Sequence, residues 1–552
     1  MQKRFLQYFF FCFALFSCGV SKSLKHLPDI SAYSLEIPRV AKVNDSVFRF
    51  KNNFLAKNPH KMWELYNTGN ALQLGYNNGA LSEDLIQNQE KVFFDKIKDF
   101  VPSKFKQKLL RWVLEIYTRN MYKNIRNDFQ AELYGMSRYS SDEYDFIAPK
   151  FQRSLSLHAA HDIGHAFQDL MIVGCSSLAV WNENTEDGNL LIGRAFDFYA
   201  GDEFSENKMI SFVKPEDGIP FVSVSWPGMI GVASGMNMSG ITVTINAGKS
   251  KIPLSAKTPI SLVTREILQF ASTIDEAVEI AKKRKVFVSE SILVGSGKER
   301  KAVIIEVSPK NFGVYEVPNS SELICTNHFQ SEAYKNDKRN EKQIRESHSE
   351  YRYERLQELI SENKKLNPEK MAFILRNRFG LKNEIIGNGN EKSINQLLAH
   401  HAVIFSPEKN LIWVSAPPYQ LGEFVCYDLK KIFSETPETD SLEVKNLLIP
   451  KDNFVDSQEF KNYEQYRKQD RILDEAIKSG KELSDDFIQN YIRLNPELWI
   501  VYFKAGKYFY SQKNYEKAAE FFEKSLSREI STIPEKENIE RFLKKSKRRR
   551  KS

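Results

Sequence analysis

A lone Gly-Cys pair, Gly174-Cys175, stands in the stretch MIVGCSSLAV, with Arg194 and Asp197 about twenty residues further on. A cysteine is a strong nucleophile only as thiolate, so it needs a base or a lowered pKa. No histidine follows closely enough in the chain to act as that base. Cutting the Gly174–Cys175 bond would create one, because Cys175 would then carry a free α-amine. Such an amine titrates near ~7.7–8 and a thiol near ~8.5, so the two exchange a proton at neutral pH. Gly174 suits the cut: it offers no side chain to hinder attack by Cys175 on its carbonyl, and it tolerates a strained backbone. The attack is an N-to-S acyl shift that gives a thioester, and water then releases the new N-terminus.

Arg194 and Asp197 lie three apart at the end of a predicted strand, so strict alternation puts them on opposite faces. A bend or bulge after Gly193-Arg194 is the expected device for bringing both to Cys175. There Asp197 would hold the new ammonium group, and Arg194 would favour the thiolate or hold Asp197 in place.

The elements that must position these residues are legible as a change of texture at Cys175. SLAVWNEN, the turn residues Glu186 to Asn189, and LLIGRAF read as a β-hairpin. Strand-like runs follow in FVSVSW, GITVTINA, ESILVGS, KAVIIEVS and FGVYEV, then in HAVIFSP, LIWVSAP and EFVCYDL, with helical segments between. Hairpin strands separated by blocks of helix suit an α/β layered fold with two mainly antiparallel sheets between helical layers. Residues 19–125 read as a helical and irregular segment carrying almost nothing catalytic, and the helix FQRSLSLHAAHDIGHAFQDLM leads up to Cys175.

Six short motifs occur in order: ELYGMS at Glu132 to Ser137, GCSS at Gly174 to Ser177, GRAFDF at Gly193 to Phe198, GMNMSG at Gly235 to Gly240, TNHF at Thr326 to Phe329, and SEYRYERL at Ser349 to Leu356. In this the sequence resembles the acyl-coenzyme A:6-aminopenicillanic acid acyltransferase family over roughly residues 126–435. That family is a branch of the N-terminal-nucleophile hydrolases, related to choloylglycine hydrolases and penicillin V acylases. The resemblance implies an αββα sandwich, self-cleavage at 174/175, and Cys175 as nucleophile supported by Asp197 and Arg194. It also implies that Asn327 helps form an oxyanion hole, that Asn246 is a second donor there, and that Arg352 orients the site or the substrate. No cofactor is implied. The activity implied is that of a cysteine amidohydrolase or acyltransferase working on N-acyl compounds, linear amides, through a thioester acyl-enzyme.

Two other readings compete. His158, His161 and His165, with Asp162, fall on one face of a helix, where a metal could use them, and HDIGH echoes a metallohydrolase motif. A catalytically dead, lipid-anchored binding protein is the non-enzymatic alternative.

The chain has 552 residues and a formal net charge of +8. Seven of those charges lie in the tail KKSKRRRKS, so the body is near neutral. No aromatic-interleaved basic groove indicates nucleic acid; a solvated end or a lipid contact is the expected role of the tail. Residues 1–18, with Lys3 and Arg4 before a short apolar run ending Leu-Phe-Ser-Cys, read as a signal peptide with a lipobox. Cys18 would then be lipidated, and the protein would be a membrane-anchored bacterial lipoprotein of the cell envelope. Of the remaining Cys175, Cys325 and Cys426, at least one thiol should be free, and Cys325 and Cys426 read as core thiols. Beyond the acyltransferase-like region, 436–465 reads as a linker and 466–543 as helical, with one tetratricopeptide-like repeat, a candidate surface for a protein partner. The basic tail occupies 544–552.

Overall fold

The computed structural model describes residues 20–160, 162, 172–199, 201–250, 255–434 and 442–550, the side chains of 172, 173, 198 and 199 excepted. Its strands are β1 (Ala41–Asn44), β2 (Val47–Phe50), β3 (Asn53–Lys57), β4 (Trp63–Gly69), β5 (Ile172–Val180), β6 (Leu191–Tyr199), β7 (Met209–Pro215), β8 (Phe221–Ser225) and β9 (Ser234–Asn237). They continue as β10 (Ile241–Ala247), β11 (Glu290–Ser296), β12 (Lys301–Val307), β13 (Phe312–Tyr315), β14 (Glu322–Cys325), β15 (His401–Ser406), β16 (Leu411–Ser415) and β17 (Phe424–Asp428).

The α-helices are α1 (Ala71–Leu81), α2 (Glu83–Phe100), α3 (Lys104–Thr118), α4 (Asn127–Ser137), α5 (Lys150–His158), α6 (Ile260–Phe270), α7 (Ile274–Lys283) and α8 (Lys338–Glu346). After these come α9 (Ser349–Glu362), α10 (Pro368–Leu375), α11 (Leu429–Ser434), α12 (Gln458–Ser479), α13 (Asp485–Leu494), α14 (Trp499–Ser511), α15 (Tyr515–Leu526) and α16 (Ile533–Arg550).

The strands form two sheets. The larger runs β1-β2-β3-β4-β7-β8-β9-β10-β11-β12-β13, and the smaller runs β14-β5-β6-β15-β16-β17. Side-chain alternation explains the layering. On β10, Thr242 and Thr244 alternate with Ile241, Val243 and Ile245, and the isoleucines and valine pack with Ile260, Val263 and Ile267 of α6. Between the sheets, Ala179, Ile192, Val403 and Val414 meet Phe212, Val224, Leu293 and Ile304. On the far face of the smaller sheet, Leu178, Val180, Ala195 and Ile404 pack with Leu356, Leu359, Met371 and Leu375 of α9 and α10. The order is therefore helix, sheet, sheet, helix, the αββα arrangement expected.

Three expectations need correction. Residues 19–125 are not simply helical, because 41–69 make four strands that extend the larger sheet. The last of these, β4, pairs in parallel with β7, from Trp63↔Met209 to Gly69↔Pro215. The short runs VFRF, NFLAK and WELYNTG carry the apolar side chains that this sheet edge buries. The supposed linker is partly structured: Phe424 and Ile449 exchange backbone bonds, Trp413 Nε1 donates to the Leu447 carbonyl at 2.8 Å, and α12 already begins at Gln458. The basic tail is helical to Arg550, as part of α16, with Lys547 paired to Glu523 at 2.7 Å and Arg550 to Glu516 at 2.6 Å. The residues of the expected signal peptide and Cys18 lie outside the described residues.

Candidate active site

Cys175 sits inside β5, directly across from Phe196 of β6. The β5–β6 register is unbroken from Ile172↔Tyr199 to Val180↔Leu191. The bulge expected after Arg194 is therefore absent, because the hairpin turn between the strands already sets a continuous register. Arg194 and Asp197 reach the site from opposite faces. Arg194, opposite Ser177, shares the inter-sheet face with Cys175; Asp197, opposite Gly174, faces the helix layer of α9 and α10.

On the inter-sheet side, Arg194 Nη2 lies 3.7 Å from Cys175 Sγ. The guanidinium is fixed by the Ala233 carbonyl at 3.3 Å, by Ser234 Oγ and by the Ile245 carbonyl. His401 Nε2, bonded to Ser234 Oγ at 2.8 Å, completes this holder, and the guanidinium covers the Phe196 ring at 4.1 Å. Burial pushes the Cys175 thiol up to about 11, against the pull of Arg194. The thiol is therefore protonated in the uncut chain at neutral pH.

On the helix side, Arg352 of α9 donates to the Cys175 carbonyl at 2.6 Å, to Ser176 Oγ at 2.8 Å and to Asn327 Oδ1 at 2.5 Å. The same Asn327 oxygen accepts from the Cys175 backbone N–H at 3.0 Å, while its Nδ2 donates to the Ala247 carbonyl at 2.9 Å. Ser349 Oγ, at the start of α9, accepts from the Asn327 backbone N–H at 2.8 Å, which ties SEYRYERL to TNHF. Burial lowers Arg352 to about 10, so it stays charged at neutral pH. Asp197 is raised to about 8 by burial, with Arg352 and Arg194 opposing. Neither of its carboxyl oxygens has a hydrogen-bond partner among the described residues. An unpaired buried carboxyl is costly to maintain.

The structure thus brings together Cys175, Arg194, Asp197, Asn327 and Arg352. Asn246 stands one step away: its Oδ1 accepts from Ser177 Oγ at 2.9 Å and its Nδ2 donates to the Cys325 carbonyl at 2.9 Å, joining the two sheets two residues past Cys175. Gly174 packs against the side-chain amide of Gln396, which would have to shift to admit a Cβ there. Gln396 and His401 escaped the sequence reading because their roles follow from register and packing; Ser177 and Ser349 stood in its motifs without an assigned role. Cys325 and Cys426 are buried and free, as read.

Two motifs turn out to be scaffold. In ELYGMS, Glu132 pairs with Arg265 at 3.0 Å. In GMNMSG, Asn237 Nδ2 donates to the carbonyls of Leu268 and Ala271, both at 2.8 Å. The histidine helix also reads differently in the structure. His158 Nδ1 bonds the Ser154 carbonyl and Nε2 accepts from Ile230 N–H, both at 2.9 Å, so neither nitrogen is left for a metal. Asp162 accepts from Ile260 N–H at 2.8 Å at the start of α6. His161 and His165 lie outside the described residues.

An apolar cavity lies nearby, lined in part by Ile86, Phe93, Met136, Phe204, Trp226 and Met229. The Trp226 and Phe204 rings pack on His400 at 5.6 and 6.1 Å, and His400 packs on Phe196 at 6.3 Å. Phe196 is the cross-strand neighbour of Cys175, and Phe204 of the cavity wall belongs to the same apolar cluster as both.

Among known proteins, residues 183–417 match the family model described as acyl-coenzyme A:6-aminopenicillanic acid acyl-transferase. The matched span takes in Arg194, Asp197, Asn246, Asn327 and Arg352 and begins just after Cys175. A protein of Archaeoglobus fulgidus, named only as uncharacterized, is 28% identical over 284 residues, 46% of each chain. Protein dcd1B of Dictyostelium discoideum is 24% identical over 259 residues, 44% of this chain and 49% of that protein. The chain spans about half the length of these curated relatives. Among solved structures, an N-acylethanolamine-hydrolyzing acid amidase ortholog of Caenorhabditis elegans aligns at 17% identity and TM-score 0.31, over 42% of this chain and 93% of that one. A mutant conjugated bile acid hydrolase of Clostridium perfringens aligns at 13% and TM-score 0.33, over 48% and 94%. Four of the six motifs fall inside the matched span, and over residues 183–417 this chain is similar to the acyl-coenzyme A:6-aminopenicillanic acid acyl-transferase family.

Proposed function

We propose that the chain is a self-processing cysteine amidohydrolase or acyltransferase of the N-terminal-nucleophile type, acting on N-acyl compounds through a thioester. The observation that carries this reading is the state of Cys175 in the uncut chain. Its thiol is buried beside Arg194, its amide nitrogen is held by Asn327, its carbonyl is held by Arg352, and an unpartnered carboxyl stands opposite the preceding glycine.

In the first step Cys175 Sγ attacks the Gly174 carbonyl, the C–N bond breaks, and the acyl group moves to sulfur. Water then hydrolyses the thioester, leaving a Gly174 carboxylate and a free α-ammonium on Cys175. That ammonium is the cation Asp197 lacks, and the pair would bring Asp197 back to its ionised form. In turnover the neutral amine takes the thiol proton as sulfur attacks the substrate carbonyl, and passes it to the leaving amine. Water, or an amine acceptor, removes the acyl group. The oxyanion of each intermediate would be met by the Asn327 amide, a contribution of about 2.7–4 kcal/mol for one such donor.

Mass spectrometry of the chain incubated with a long-chain N-acyl amide tests this. A thioester on a peptide beginning at Cys175, with activity lost to iodoacetamide and kept in chelator, is the expected result. Activity abolished by chelator and untouched by iodoacetamide would favour the metallohydrolase reading instead, and binding without turnover the dead enzyme.

A further inference from the structure

Helix α3, KFKQKLLRWVLEIYT, has no buried residue. At helical spacing Phe105, Leu109, Trp112 and Val113 share one side, and they are 75%, 52%, 43% and 36% exposed. The opposite side, with Gln107, Leu110 and Leu114, is half-buried against the protein. Phe100, just before the helix, and Phe146, whose carbonyl accepts from Arg111, are exposed as well. A contiguous apolar stripe of this kind on the surface marks a contact site.

The borders of the stripe say what it contacts. Lys104, Lys106, Lys108 and Arg111 are all exposed, and Lys106 and Lys108 lie on either flank of the Phe105–Leu109 row. The single acid of the helix, Glu115, is paired with Arg111 at 2.8 Å, so the remaining charge is positive. Aromatic and leucine side chains flanked by lysines match a bilayer surface, with the rings at the acyl boundary and the ammonium groups among anionic headgroups.

The start of the described chain points to the same end of the molecule. His26 stacks on Tyr122 at 3.9 Å, four residues beyond the end of α3. Cys18 precedes His26 by eight residues, so a lipid attached there would lie within ~28 Å of that ring.

We propose that α3 lies flat in the surface of an anionic lipid bilayer, as a contact separate from any acyl group on Cys18. The occupant is lipid, and the contact persists when residues 1–18 are removed. The test uses the chain begun at Gly19, which keeps every described residue, sedimented with vesicles of phosphatidylglycerol and phosphatidylcholine in equal parts or of phosphatidylcholine alone. The parent should bind the anionic vesicles. Lys104→Glu, Lys106→Glu and Lys108→Glu together should weaken that partition by about a hundredfold. Phe105→Ser with Leu109→Ser should weaken it by at least about tenfold. All five side chains are exposed, so unchanged thermal midpoints would show that the variants fold. No binding by the parent, or binding that neither set of variants alters, would overturn the proposal. So would a parent that self-associates through the stripe, becoming monomeric in the Phe105→Ser, Leu109→Ser variant without ever binding vesicles.

Discussion

At the scale of single residues, the site holds a buried carboxyl, Asp197, with no hydrogen-bond partner among the described residues, and the proposed cleavage would supply one in the Cys175 amine. Asp197 makes this measurable. Its carboxyl stands near 8 in the uncut fold and near ~3.9 in an unfolded chain, so the fold carries the extra proton between those values. Stability from this group is therefore full below about pH 4 and is lost as pH rises through about 8. In a Cys175→Ala chain, which cannot cut itself, Asp197→Asn should flatten part of the fall in thermal midpoint between about pH 5 and about pH 8. An unchanged slope would place the proton elsewhere. Asn327→Ala should lower kcat by about 10²–10³-fold in chains that have already been cut, measured against an N-acyl amide. Cys175, Arg194 and Asp197 were legible in the sequence from their types and spacing, Asn327 and Arg352 only through the family resemblance that the motif order carries. Gln396 was not, since nothing in the chain says that its amide fills the space a Gly174 side chain would need.

Secondary-structure elements explain why two pieces would remain one protein. β4 precedes the Gly174–Cys175 bond and β7 follows it, and seven residue pairs align along their shared edge. Ile172 and Val173 belong to the same strand as Cys175, so the Gly174–Cys175 bond lies inside sheet structure. Scission should therefore yield fragments that co-elute under native conditions and separate only in denaturant; fragments that part without denaturant would contradict the pairing. The β5–β6 hairpin was readable from its alternation and its Glu186–Asn189 turn. β1 to β4 were not, because strands of four to seven residues beside long helices leave too little periodicity to distinguish them from irregular chain. The αββα order was readable from strand texture and family resemblance together, whereas the parallel β4–β7 contact is a long-range pairing that no local pattern announces.

The whole molecule connects its C-terminal helices to the Gly174–Cys175 bond. Asn495, at the end of α13, bonds Asn388 in both directions, at 3.1 and 2.8 Å, and Lys392 pairs with Glu529. Tyr463 of α12 donates to the Leu397 carbonyl at 3.3 Å. These contacts brace the loop carrying Gln396, which packs on Gly174. Asn495→Ala should then slow the appearance of the Cys175 N-terminus in a time course while leaving the kcat of fully cut protein unchanged. Within the same helical region, Gly506 lets α14 approach α15, where a Cβ would come within 2.6 Å of the Phe522 ring. The most direct measurement of the account as a whole is N-terminal sequencing of purified, active protein. A fragment beginning Cys-Ser-Ser-Leu at Cys175 is the predicted result, and full activity in a chain still joined at Gly174–Cys175 would contradict it.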